Sequence, residues 1–291
     1  MALGTAPVTV TTAATYIPEI WAEELRAFRE INTVMRQVVY NYPFEGSVGD
    51  TIHVPALGRL TVITVSEGGD DANSVNTEGE FNGVITRHRG VRLQIPDRAG
   101  KQSKYDIAAA NIPGMGRVLA EDLDAHILAL EVGFQGGQRY EGDGTTFTTP
   151  GADLTDAGFR IILEKLDVAN VPFDDRFGVF HPRQKNIMMG ISRFTEYQMI
   201  GPGGMPIRTG LMGELYGVPI YFSTNTALIA AADDANLVGQ REAIILAIQS
   251  DIRVQTDYVL QNWSGLVACD YLGQAFEFRD DHAVAVLTTI T

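Results

Sequence analysis

Cysteine is almost missing: Cys269 stands alone among 291 residues, which excludes an intramolecular disulfide framework and a multi-cysteine metal centre. Its flanks, Leu266, Val267 and Ala268 on one side and Tyr271 and Leu272 on the other, mark it as a small buried hydrophobe rather than a reactive thiol. No apolar run reaches the roughly 18 residues that a membrane-spanning helix needs. Met1 to Thr15 has no basic residue ahead of an apolar core, so a soluble, unsecreted chain with no N-terminal processing is expected. Positive charge is also scarce. With 22 basic against 36 acidic residues the formal charge is -14, too acidic for general attraction to nucleic acid or an anionic membrane. Such a chain can still lie beside DNA as a container that does not stick to its contents.

Recognised catalytic patterns are missing too. No G-x-S-x-G elbow occurs. The five histidines, at 53, 88, 126, 181 and 282, never pair at i,i+4. The glycine-rich "GPGGMPIRTGLMG" lacks both the Walker lysine and dinucleotide-binding spacing. Four Asp-Asp pairs, beginning at 70, 174, 233 and 280, fall in stretches that read as loops. None has the glycine and distal glutamate of a calcium loop. Trp21 and Trp263 read as isolated packing anchors rather than a base-stacking platform.

What remains is a mixed α and β pattern, long enough for two domains, with 30 glycines and 12 prolines to make its turns. Residues 1–15 are small and threonine-rich and read as an extended arm. Pro18 opens an expected helix carrying Trp21, Leu25, Phe28 and Val34 or Met35 on one face. Alternation over Thr51 to Val65 and Val84 to Ile95 predicts two strand arms. Between them, Ser66 to Gly83 holds four glycines and five acids and no base, so a long β-ribbon with a flexible tip is expected. Its tip would hold Glu67, Asp70, Asp71, Glu78 and Glu80 and its return arm Arg87, Arg89 and Arg92. That segregation is either a solvated hairpin or a surface that docks on a neighbouring copy through complementary charge.

Leu119, Leu123, Ile127 and Leu130 predict a helix running to about Gly133, kinked or interrupted upstream by "IPGMG" at 112–116. A domain boundary is placed near Gly151. A helix capped by Thr155 or Asp156 follows, bearing Phe159, Ile162, Leu163 and Leu166. Then comes "ANVPFDDRFGVFHP", 169–182, in which Asp174, Asp175 and His181 could serve acid/base chemistry or only punctuate a turn before a short strand and a proline-led helix. Strands are expected at Val218 to Phe222, Ala243 to Ile248 and Ala283 to Leu287, with a small-residue loop at Ala230 to Ala235.

Four stretches in order, "VVYNYPFEGSVGDTIHVP" (38–55), "LEKLDVANVPFDDRFGVFHPRQKNIMM" (163–189), "TGLMGELYGVPIYFSTN" (209–225) and "YLGQAFEFRDDHAVAVL" (271–287), resemble the major capsid proteins of tailed bacteriophages. The resemblance implies an α+β Hong Kong 97-type fold. Its parts would be an N-arm and first helix at 1–35, the lead into the P domain at 36–57, an E-loop at 58–92, the P domain with its spine helix at 93–151, an A domain at 152–250, and strands returning to the P domain at 251–291. It implies hexamers and pentamers closing an icosahedral shell around double-stranded DNA without sequence-specific binding, in the virion and, during assembly, in the host cytoplasm. Partners would be other copies, a portal, a possible decoration or cement protein, and a separate scaffolding protein, since only about fifteen small residues precede the first helix. No lysine occurs at 58–92, so the lysine-to-asparagine crosslink of some relatives is not expected. On this reading the eight charged residues of the ribbon are assembly contacts, and no catalytic, cofactor or metal site is assigned. The rivals are an encapsulin-like protein compartment and a soluble α/β enzyme using Asp174, Asp175 and His181.

Overall fold

The computed structural model describes residues 33–42, 49–57, 60–65, 67–68, 78–103, 106–147, 152–191, 213–230 and 233–289. The expected N-terminal arm, the helix opening at Pro18, Asp70 and Asp71, and most of the glycine-proline stretch near 201–213 lie outside them.

The first half is built on one long helix laid across a sheet. A short helix α1 (Met35–Val38) leads into β1 (Tyr40–Tyr42), then β2 (Thr51–Leu57), β3 (Glu78–Val84) and β4 (His88–Pro96), followed by α2 (Asp97–Gln102) and α3 (Ile107–Leu128). Asp106 caps α3 by accepting from the Ala109 amide at 3.1 Å. Met115, Leu119, Leu123 and Ile127, spaced four apart, are buried as one stripe. Pro113 sits inside α3 and the helix runs on through 112–116, so the interruption offered as one outcome for this stretch does not occur. Both Pro113 and Ala109, whose carbonyl loses its intrahelical partner, are on the exposed face, where solvent access lowers the cost of the missing bond.

The second half alternates helices and strands: β5 (Arg139–Glu141), α4 (Asp156–Val168), β6 (Arg176–Phe180), α5 (Pro182–Gly190), β7 (Glu214–Leu215), β8 (Val218–Phe222), β9 (Ala227–Ala230) and β10 (Asp233–Gln240). Thr155 caps α4 through the Gly158 amide, and Pro182 occupies the first turn of α5, both as expected. At Gly158 an added Cβ would lie 2.0 Å from the Gly142 carbonyl oxygen, so helix and loop meet where only glycine fits. The chain then forms β11 (Ile244–Val259), β12 (Ser264–Glu277) and β13 (Ala283–Thr289).

Two sheets result. A four-stranded sheet has the order β1-β11-β12-β4, and a larger one the order β5-β13-β10-β6-β8-β7 with β9 beside β10. Val267, Cys269, Tyr271 and Ala275 of β12 pack with the α3 stripe in the first core. Phe159, Ile162, Leu166, Phe180, Val238 and Val284 form part of the second. Glu131, almost wholly buried, receives two bonds from Arg139 at 2.8 and 3.0 Å where the chain passes from α3 to β5.

Several expectations change. The ribbon exists, but its return strand is β3, paired with β2 from Thr51↔Val84 to Leu57↔Glu78. The stretch at 88–96 pairs instead with β12. Alternation at β4 arises because one face lies on the α3 core, and a period of two does not say which sheet a strand joins. The first arm ends as a strand at Leu57 rather than Val65. In place of the loop expected at Ala230 to Ala235, Ala230 ends β9 and Asp233 to Ala235 open β10, the two strands pairing, and Asp233 and Asp234 are buried. Their low strand propensity is overridden by side-chain hydrogen bonds: Asp234 accepts from Thr226 Oγ1 at 3.1 Å, and neighbouring Asn236 donates to Thr288 Oγ1 at 2.7 Å. The strand expected at 243–248 extends to Val259, and the closing pair is divided, β12 in one sheet and β13 in the other.

Candidate assembly surfaces

The ribbon leaves the body through a root that is built, not loose. Ile52 and Ile85 are buried with Ala247 of β11, and Val54, Leu272 and Phe276 close around them. Phe81 meets Phe276 and Phe278 edge-on, with centroids 6.0 and 5.5 Å away. Backbone bonds fix the exit: the Ile85 amide donates to the Asp50 carbonyl at 2.7 Å, and the Thr86 amide to Gln274 Oε1 at 2.9 Å. Beyond β2, Leu60, Val62 and Val65 are exposed, Val62 completely. Apolar side chains in water on a projecting arm are what a contact with another molecule would cover.

The second open surface is the free edge of β11 in the outer half of the β11–β12 hairpin, whose β12 side is covered by β4. β1 covers the outer edge of β11 only at Ile245 to Ala247, so among the described residues Ile252 to Val259 form an open strand edge. Val254, Tyr258, Leu260 and Trp263 are exposed there. Trp263 occupies the hairpin end in the left-handed region, φ 45°, and is 69% exposed. It is not the packing anchor expected from the sequence. On the other side of the hairpin, Arg253 grips Asp270 at 2.8 and 2.9 Å and His88 Nε2 lies 2.8 Å from the same carboxylate. The hydrogen bonds from Arg253 first and then from His88 hold the Asp270 carboxyl down at about 2.

Of the expected charged contacts, Glu67 is exposed beside the ribbon tip, Glu78 opens β3, and Glu80 sits on β3 paired with His53. The three arginines are not on the ribbon. Arg87 lies in the three-residue link between β3 and β4, and its guanidinium is 2.7 Å from Asp122 on α3. Arg89 and Arg92 are exposed on β4. These three arginines therefore do not share a strand with Glu78 and Glu80, and they line the body at the foot of the ribbon.

The stretch "ANVPFDDRFGVFHP" is organised by Arg176. Its guanidinium, almost fully buried, donates to the carbonyls of Val171 at 2.7 Å and Pro172 at 2.9 Å, pairs with Asp167 at 2.8 Å and lies over the Phe173 ring. Asn170 and Asp175 take positive φ of 56° and 57° in this turn. Asp174 and Asp175 are exposed at one end of β6 and His181 follows the other end. Six residues of extended chain, at about 3.3 Å each, hold them about 20 Å apart, so the acid/base group is not assembled. His181 caps α5 through its Nδ1 and turns Nε2 toward Asp234 at 3.4 Å. Burial pushes the Asp234 carboxyl up, against the pull of His181 and Thr226. No cluster of three metal-ligating side chains occurs among the described residues.

Sequence reasoning missed the inner clamps, Arg176 and Asp124, because nothing in spacing announces a buried charge that binds backbone. It also missed the outer hairpin, although "IRVQTDYV" at 252–259 alternates plainly.

No family model matches the chain, and no curated protein does. Among solved structures, a chain of Mycobacterium phage Che8 superposes with a TM-score of 0.74 over 93% of this chain and 97% of its own, at 21% identity. The capsid structure of the cyanophage P-SCSP1u gives 0.76 over 95% and 94%, at 17% identity. The mature capsid of bacteriophage PhiM1 gives 0.70 over 94% and 93%, at 13% identity. This is the fold of phage capsid proteins. The capsid fold, expected from four short stretches, thus spans nearly the whole chain. Among the described residues no helix is long and apolar enough to cross a membrane.

Proposed function

We propose that the chain is the major capsid protein of a tailed phage, assembling as hexamers and pentamers into an icosahedral shell around double-stranded DNA. The observation that carries this reading is the agreement with chains of two phage capsid structures over 93–95% of each chain. A structural role is also in keeping with the separation of Asp174 and Asp175 from His181 by the length of β6.

The mechanism is association. Heterologous contacts repeated by rotation close rings, and rings close a shell. The ribbon, with Leu60, Val62 and Val65 in water, and the outer hairpin, with Trp263, supply apolar area that a neighbour would bury. At about 25 cal/mol per Å² each such contact is modest, and many engaged together become strong. Glu67, Asp70, Asp71, Glu78 and Glu80 on one copy would approach Arg89 and Arg92 at the ribbon foot of another. A net charge of -14 keeps free subunits apart and limits adhesion to packaged DNA. The division into N-arm, E-loop, P domain and A domain follows the same reading, as do a separate scaffolding protein, a portal and a decoration protein as partners.

Deleting residues 68–77 tests it. The variant should keep the circular dichroism and melting behaviour of the full chain yet yield no closed particles by electron microscopy. Normal particles from a ribbon without its tip would remove the docking role.

A further inference from the structure

The ribbon can set how copies meet only if it leaves the body in a fixed direction, and one group at its root is placed to fix it. The Arg87 guanidinium reaches Asp122 Oδ2 at 2.7 Å through Nη2 and Tyr271 Oη at 3.3 Å through Nε, while the Tyr271 hydroxyl donates to the same Asp122 oxygen at 2.8 Å. Three elements are thereby joined: the link that ends the ribbon, the middle of α3, and β12. The Arg87 carbonyl also accepts from the Gly273 amide at 3.2 Å, so main chain and side chain anchor at the same place. Only 16% of the Arg87 side chain is exposed, and the Tyr271 side chain is buried.

His126, one turn along α3 from Asp122, is held toward its neutral form by burial first and then by the nearby charges of Arg87 and Arg89. Other connections of the root are apolar, as at Phe81 and Phe276, or neutral hydrogen bonds, as at Thr86 and Gln274. Apolar faces resist separation but slide easily, whereas a bonded guanidinium fixes an angle. We propose that Arg87 is a positioning residue, a latch that holds the ribbon at one angle to α3 by way of Asp122 and Tyr271 rather than touching a neighbouring copy. This rests on the shell reading only for its second readout.

The test measures the ribbon in the isolated full-length subunit and then the particle. Spin labels at Pro55→Cys on β2 and Val118→Cys on α3 report their separation by pulsed electron resonance, since Cys269 is buried and does not compete. The unaltered root should give one narrow distance. Arg87→Glu should broaden it, with the ratio of latched to released ribbon falling at least about tenfold, as expected for a charge-assisted hydrogen bond. Tyr271→Phe, which removes only the hydroxyl, should broaden it less. The double exchange Arg87→Glu with Asp122→Arg should restore both the narrow distance and normal particles, a rescue that a direct intersubunit role for Arg87 would not give. A distance distribution unchanged in folded Arg87→Glu and Tyr271→Phe would overturn the latch. If the unaltered chain shows the narrow distance but forms no particles, the latch stands and the shell reading fails.

Discussion

The carboxylate of Asp124, near the C-terminal end of α3, accepts the backbone amides of Val34 and Met35 at 2.8 and 2.7 Å. Its other oxygen takes Asn225 Nδ2 at 3.1 Å and Ser223 Oγ at 3.4 Å, from the loop after β8. One buried side chain therefore joins the start of α1, the long helix and the second half of the molecule, and it does so through hydrogen bonds alone.

Asp124→Ala leaves those amides buried without an acceptor. A loss of about 2–3 kcal/mol in urea unfolding is expected, with hydrogen exchange rising first at residues 34–38. Asp124→Asn keeps an acceptor oxygen but must turn its NH₂ toward one set of donors, so about half that loss is expected. Unchanged exchange at 34–38 in the Ala variant would show that the carboxylate does not hold this segment.

Arg176→Lys tests the turn that first suggested chemistry. An ammonium cannot reproduce the planar fork that reaches Val171, Pro172 and Asp167 together. The expected loss is about 2–4 kcal/mol, most of it from carbonyls left buried and unpaired. A variant within about 0.5 kcal/mol of the parent, the usual range for a surface change, would deny Arg176 its organising part.

Asp270 gives a pH dependence. Its folded carboxyl ionises at about 2 against an ordinary 3.8, so its contribution is complete above about pH 4 and fades as pH falls toward 2. After solvent screening this amounts to about 1 kcal/mol. Unfolding titrations between pH 5 and pH 2 should show that loss in the parent and a flatter profile in Asp270→Asn. Parallel profiles would mean that Arg253 and His88 do not act on this carboxylate.

Elements whose local pattern and global place agree were legible from the sequence. α4 announced itself by Thr155, Phe159, Ile162 and Leu166, and β13 by an unbroken apolar run. β3 was hidden because "EGEFNGV" carries glycine and acid where a strand usually carries branched residues; its one large apolar side chain, Phe81, finds partners two hundred residues away in Phe276 and Phe278. The same distance hid the latch: Arg87, Asp122 and Tyr271 lie far apart in sequence, and Arg87 alone looked like ribbon charge. The projecting arm itself was foreseen, because a glycine-rich acidic stretch between alternating ones cannot form a core.

Electron microscopy of the purified full-length protein across a range of concentration and salt tests the central claim most directly. Closed hollow shells of uniform size, or rings of five and six subunits before closure, are expected. Single subunits alone, at every concentration and with the ribbon intact and correctly angled, would contradict it.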